Sequence, residues 1–158
     1  QVGDLWVRGP STTPGYWNRD ELNLERWQDG WFSSGDKYYR DDQGFLFYAG
    51  RSDDMFKVSG QWVSPTEVEN CLIEHEKVLE SAVVAFENRE RLLKPRAFVV
   101  LKAGFRGDST LVDELQEFVR SRLAPYKYPR RVDFIDSLPK TAAGKIQRFK
   151  LRGSGPES

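Results

Sequence analysis

The hydrophobic pattern of this 158-residue chain changes character at Asp53, and that change limits what it can fold into. Before Asp53, apolar residues come in short, aromatic-rich runs punctuated by glycine turns. After it, strand-like runs alternate with two stretches of helical periodicity. In the first part, Asp4-Leu5-Trp6-Val7-Arg8 reads as a strand stopped by Gly9-Pro10. Pro14-Gly15 is a turn signal, and Asp20 to Trp27 predicts a short helix. Lys37-Tyr38-Tyr39-Arg40 and Phe45-Leu46-Phe47-Tyr48 flank Asp42-Gln43-Gly44, which is a hairpin pattern. Strands like these have exposed edges and too little surface to cover them alone. Residues 1–52 are therefore expected to be cut from a larger β-rich domain.

The second part, residues 53–152, reads as a small mixed α+β domain with a sheet covered on one side. Met55 to Ser59 and Gln61 to Val63 are short strands around Gly60. Ser64-Pro65-Thr66-Glu67 predicts a helix start, with serine as N-cap, proline in the first turn and glutamate closing a capping box. Val68, Cys71, Leu72 and His75 fall on one helical face. Two ligands make no closed metal site, so Cys71 is expected to pack, His75 to form an ordinary hydrogen bond, and no metal to be held. Ser81 to Phe86 and Ala97 to Leu101 read as buried strands, and Asp108 to Leu123 as a second amphipathic helix. Val132 to Ile135 is a further strand, a short basic helix begins near Gln147, and residues 153–158 read as a flexible tail.

One cysteine excludes an internal disulfide framework and fits a reducing, cytoplasmic setting. No apolar run approaches the roughly 20 residues that span a bilayer. The polar start is no signal peptide, and the absent initiating methionine points to a fragment or a processed chain. The net charge is zero but unevenly spread. Residues 1–50 hold 5 basic and 8 acidic side chains, whereas residues 120–152 hold 10 basic ones against Asp133 and Asp136. A basic final third calls for a polyanionic partner. No nucleic-acid motif accompanies the charge, and ATP or coenzyme A explains it equally well. A non-catalytic module that binds nucleic acid or a protein through this face is the alternative.

The candidate site residues lie in three stretches. Leu138-Pro139-Lys140-Thr141-Ala142-Ala143-Gly144-Lys145-Ile146-Gln147-Arg148 cannot easily be helix and predicts an exposed, mobile tongue. Its Lys145 is a compact charge on a flexible stem, suited to a phosphate or carboxylate oxygen. In Ser33-Ser34-Gly35-Asp36, the glycine lets a ligand approach the backbone, and the carboxylate can accept from the vicinal hydroxyls of a ribose. Taken alone, that stretch is also a common capped turn. Arg51, in Gly50-Arg51-Ser52-Asp53-Asp54, is equally readable as a surface ion pair.

In this order and spacing the three stretches resemble the last third of an adenylate-forming enzyme of the acyl-CoA synthetase family. Gly3 to Gly9 and Gly15-Tyr16-Trp17 are similar to the family's upstream strand and turn, so the resemblance covers about residues 3 to 152. It implies a large N-terminal domain, of which residues 1–52 are the end, followed by a C-terminal lid packed against it. It implies ATP, Mg2+ and coenzyme A, with the Mg2+ site upstream of this chain. A carboxylic acid is activated as an acyl-adenylate and passed to the thiol, releasing pyrophosphate and then AMP. By this resemblance Asp36 and Arg51 contact the AMP ribose, and Lys145 bridges the carboxylate and the α-phosphate. Asp53 is the lid's hinge, and Lys57, Ser59 and Gly60 lie on the strand that meets the pantetheine arm.

The chain departs from many relatives at Ser34, where they carry threonine, and at Gln61-Trp62, where several carry an arginine. Phe56 to Pro65 looks most like benzoate–CoA ligases. Ala124 to Arg130 is similar to those and to medium-chain acyl-CoA ligases. Benzoate or a related aryl acid is the expected substrate. A medium-chain acyl-CoA ligase and an adenylation domain that loads a carrier protein stay open. The chain alone is expected to be inactive.

Overall fold

Residues 2–152 are described in the computed structural model of the chain, and they divide between Asp53 and Asp54 into two units. The first contains β1 (Val2–Val7), α1 (Asp20–Arg26), β2 (Trp27–Gln28), β3 (Trp31–Arg40) and β4 (Leu46–Arg51). β3 is the spine of an antiparallel sheet: β1 lies along it, β2 pairs with its start and β4 with its end. Asp29 and Gly30 turn β2 into β3 with φ values of 49° and 78°. That pair of positive torsions matches the right-handed twist of a tight hairpin. At the other end, the Asp41 carboxylate accepts from the backbone N–H groups of Gln43 and Phe45, at 3.0 and 2.9 Å, and caps the turn into β4. The Ser33–Asp36 stretch is not a turn. It lies inside β3, and the ladder absorbs it as an irregularity, with the β1 register shifting between Asp4 and Trp6 and Gly35 at φ 75°. Among the described residues of this unit only Gly35 and Gly50 are buried, and Phe45, Leu46, Phe47 and Tyr48 stand exposed.

The second unit contains β5 (Phe56–Val58), β6 (Gln61–Val63), α2 (Pro65–Ile73), β7 (Val78–Glu87), β8 (Leu93–Leu101), α3 (Ser109–Arg120), β9 (Arg131–Phe134) and α4 (Arg148–Leu151). β5 and β6 form a hairpin. β7 pairs antiparallel with β8, and β9 joins β8 in parallel. Both long helices begin at a side-chain cap. Ser64 Oγ accepts from Glu67 N at 3.2 Å, and Asp108 Oδ1 accepts from Leu111 N at 2.8 Å. Each cap contributes about 1 kcal/mol. The second half of the expected capping box is replaced, because the Glu67 carboxylate grips Lys127 Nζ at 2.6 and 2.7 Å.

The sheet is covered on both faces, not one. Because side chains alternate along a strand, Val83, Ala97 and Val99 face a main core with Val68, Leu72, Leu111, Leu115 and Val119 of α2 and α3. Ala82, Val84, Phe98 and Val100 face a second, smaller core with Leu138 and Leu151, and Ile146 packs against it. Three apolar residues within and after the lysine loop thus serve as its anchors. The sequence pattern hides this, since they sit singly among polar and small residues. Among the described residues, no helix is long and apolar enough to cross a membrane.

Candidate functional site

The candidate residues fall into separate clusters, and the first is built by the β3–β4 pairing, which sets Asp36 opposite Arg51. Arg51 Nη1 donates to Asp36 Oδ1 at 3.0 Å and to the Ser34 carbonyl at 3.3 Å. Ser34 Oγ in turn donates to the Leu5 carbonyl and accepts from Asp36 N, at 3.0 and 3.1 Å, so the irregular stretch is pinned to β1. The pair can offer a carboxylate to hydroxyl donors and a guanidinium to an acceptor within one small area. Beside it, Asp4 Oδ1 accepts from Lys37 Nζ at 2.8 Å and from Ser52 Oγ at 2.9 Å. The lysine bond is the chief reason that the Asp4 carboxyl is held below the usual carboxylate range.

A further cation stands in this cluster. A Cβ built on Gly35 would lie 2.6 Å from Arg26 Nη1 and 3.1 Å from Arg51 Nη2. Two guanidinium groups therefore lie close to the Gly35 backbone, whose positive φ is what favours glycine there. Sequence reasoning missed Arg26. Its only signal was a basic residue in the last turn of the predicted helix, which ordinarily means a favourable contact with the helix dipole.

In the second unit, Ser59 and Gly60 form the β5–β6 turn with φ values of 50° and 81°. Nothing lies within 4 Å of a Cβ built on Gly60, so within the described residues glycine answers a torsional need there, not a steric one. Lys57 is exposed on β5, its Nζ 4.9 Å from the centre of the Trp62 ring. The hairpin tip thus presents a cation and an open backbone. Asp53 is exposed and closes the first unit.

The lysine loop is a closed hairpin with its own hydrogen bonds. Thr141 N donates to the Lys145 carbonyl at 2.8 Å, Gly144 N to Thr141 O at 2.9 Å, and Gln147 N to Pro139 O at 2.8 Å. Lys145 N donates to Thr141 Oγ1 at 3.1 Å, and Lys140 bridges Ile146. Lys140 is held to Glu80 at 2.7 Å, whereas among the described residues the Lys145 ammonium has no ion pair. The backbone is fixed and the charge is presented to solvent, an arrangement that suits transient contact with an anion.

Cys71 and His75 do not form a ligand pair. His75 shares Glu114 with Lys77, at 3.1 and 2.7 Å, and its ring meets Phe118 edge-on at 4.8 Å. The Lys77 bond chiefly holds the Glu114 carboxyl below its ordinary range, and burial pushes the Cys71 thiol up. Among the described residues, no group of three or more His, Cys, Asp or Glu is placed to hold a metal.

The profile of the AMP-binding enzyme C-terminal domain matches residues 67–145, ending on the loop lysine. The chain belongs to that family. It is 54% identical, over 153 residues, to a benzoate–CoA ligase of Thauera aromatica. That alignment takes in 97% of this chain and 29% of the relative. Among solved structures it is similar to a benzoate CoA ligase from Burkholderia xenovorans, with a TM-score of 0.86 at 53% identity, over 96% of this chain and 30% of that one. It is also similar to an anthranilate CoA ligase in complex with anthranoyl-AMP, with a TM-score of 0.89 at 43% identity, over 96% and 29%. The chain thus spans about three-tenths of the length of each of these proteins.

Proposed function

We propose that this chain is the C-terminal part of an ATP-dependent acid–CoA ligase that acts on benzoate or a related aryl acid. The observation that carries the reading is the Lys145 hairpin: a backbone-fixed loop at the end of the family match, with an exposed ammonium that has no ion pair among the described residues. The aryl preference rests on the names of the relatives, one a benzoate–CoA ligase and another bound to an aryl adenylate. In this reading residues 1–52 close the N-terminal domain, whose remainder covers the aromatic face of β3 and β4. Residues 53–152 are the lid, and Asp53 is the pivot between them.

The chemistry asks one anion to attack another, a carboxylate oxygen on the α-phosphate of ATP. Lys145 supplies positive charge where negative charge accumulates, and it forms no covalent bond. Asp36 accepts from the ribose hydroxyls, with Arg51 holding its carboxylate in place. For the thioester step the lid turns at Asp53, withdrawing Lys145 and bringing the open Ser59–Gly60 tip and Lys57 to the pantetheine arm of CoA. Mg2+ enters on the ATP phosphates, and we assign it no ligand in this chain. A reducing compartment such as the cytoplasm suits a chain whose single thiol is a buried packing group.

The test is Lys145→Ala in the full-length protein, with the two half-reactions measured apart. Loss of one oriented charge costs about 3–4 kcal/mol at the transition state. Adenylate formation should therefore fall by two to three orders of magnitude. Thioester formation from a supplied acyl-adenylate should stay near wild type. Equal loss in both would make the lysine structural and refute the assignment.

A further inference from the structure

Glu69 is buried on α2, and a carboxylate there is costly unless its oxygens are met. Arg148 meets both, with Nε to Oε1 at 3.0 Å and Nη2 to Oε2 at 2.6 Å, and Val83 N donates to Oε1 at 2.8 Å. The remaining arm of the same guanidinium, Nη1, donates to Asp54 Oδ2 at 3.1 Å. The other Asp54 oxygen accepts from Arg152 Nη2 at 2.7 Å. One side chain thus ties the first residue of the second unit to α2, β7 and α4.

Arg148 is also tied to the lysine loop. Only Ile146 and Gln147 separate it from Lys145. Ile146 bridges Lys140 and packs on the second core, and Gln147 N is bonded to Pro139 O. Every step from Asp54 to Lys145 therefore passes through a forked ion pair or a bonded backbone.

We propose that Arg148 is a positioning residue. Its fork onto Glu69 and Asp54 makes the Lys145 loop and the residue after Asp53 one rigid piece, so that a turn at Asp53 is delivered to Lys145 without slack. The mechanical claim stands on these contacts, and its catalytic consequence rests on the ligase reading. Lysine could not replace the arginine, because a point charge cannot grip one carboxylate at two oxygens and still reach a second.

Two variants of the full-length protein test this. Arg148→Lys keeps a cation beside buried Glu69. Asp54→Asn leaves the Arg148–Glu69 fork whole, so one variant is expected to fold even if the other does not. Amide hydrogen exchange is read first. The amides of Thr141, Gly144, Lys145 and Gln147 should exchange about tenfold faster in both variants, because loosening the strut lowers the cost of local opening. The Ile135 amide, bonded to Val99 O in the sheet, should not change. Unaltered loop exchange in both variants overturns the strut.

The half-reactions are read next. Adenylate formation should drop about 10- to 100-fold through kcat, because a misplacement on the order of 1 Å is costly to an oriented group. The KM for ATP and the thioester step should be retained. Equal loss in both halves, in step with a lower Tm, would mean that Arg148 only holds the fold together, and it would overturn the positioning role. Absence of adenylate from the wild-type protein with every acid tried would instead overturn the ligase reading. The exchange data would still decide the strut.

Discussion

The two units bury their apolar residues in opposite ways. In residues 2–53 aromatic side chains line strand faces that stay open, with Phe47 at 43% and Tyr48 at 48% of their full exposure. In residues 54–152, Val83, Val99, Leu115 and Val119 are completely enclosed, and a sheet is sandwiched between two cores. Aromatic content alone therefore does not make a self-sufficient fold. The second unit has helices whose apolar stripes match its sheet, whereas the first has a sheet with only a seven-residue helix of its own and no buried residue on it. The same difference separates the two kinds of candidate site. Asp36 and Arg51 sit on strands held mainly by backbone pairing, and Lys145 sits on a loop anchored into a core.

The largest expected effect is all-or-none. Residues 54–152 expressed alone should give dispersed amide resonances and a cooperative melt, and residues 1–53 alone should give neither. A folded, cooperative 1–53 piece would break the contrast. Next in size is a core truncation. Leu115→Ala should cost about 2–5 kcal/mol in chemical denaturation, because Leu115 is fully enclosed between α3 and the sheet and the cavity it leaves cannot collapse completely. A smaller effect is expected for Gly35→Ala, where an alanine at φ 75° is strained by about 1–2 kcal/mol. Its methyl group would also push on the ends of Arg26 and Arg51, which can move. On the ligase reading, nucleotide affinity of the full-length protein should therefore fall more clearly than its Tm.

The smallest effect concerns acid. The Glu114 carboxyl is held below its ordinary range by Lys77. Its contribution is complete above the unfolded value of about 4.3 and is lost as pH falls through the lower folded value. Glu114→Gln should therefore lower Tm slightly at neutral pH and flatten its decline below that range. An unchanged acid slope would show the pair to be idle.

Much of the fold was legible because it is local. The Ser64-Pro65 start of α2, the turn at Gly60 and the start of α3 near Asp108 each depend on a few neighbouring residues with strong torsional or hydrogen-bonding preferences. The Ser33–Asp36 stretch, which taken alone also reads as a turn, shows the converse. A serine–glycine–aspartate run favours a turn by itself, but pairing of β3 with both β1 and β4 holds it in a strand. Likewise Glu67 was readable as a capping glutamate, but Lys127, sixty residues away, offers it a charge-assisted bond that the Ser64 N–H cannot equal. Of the candidate site residues, the sequence nominated Asp36, Arg51, Lys57, Ser59, Gly60, Asp53 and Lys145, through the family resemblance that its motifs carry. It could not reveal Arg26, because nothing in the chain order says that the end of α1 reaches Gly35.

Sequence by itself determined the α+β character of this protein, the places where helices start and hairpins turn, and the family to which it belongs. These follow from periodicity, from torsional preference and from motifs that are contiguous in the chain. Only the tertiary structure decided that the second sheet has two cores, that Arg26 and Arg51 lie close to one glycine, and that Arg148 clasps Glu69 and Asp54. Those facts depend on groups far apart in the chain, with Arg148 and Asp54 separated by 94 residues. Such contacts are set by which faces the strands and helices bury together, and no stretch of sequence carries that information alone.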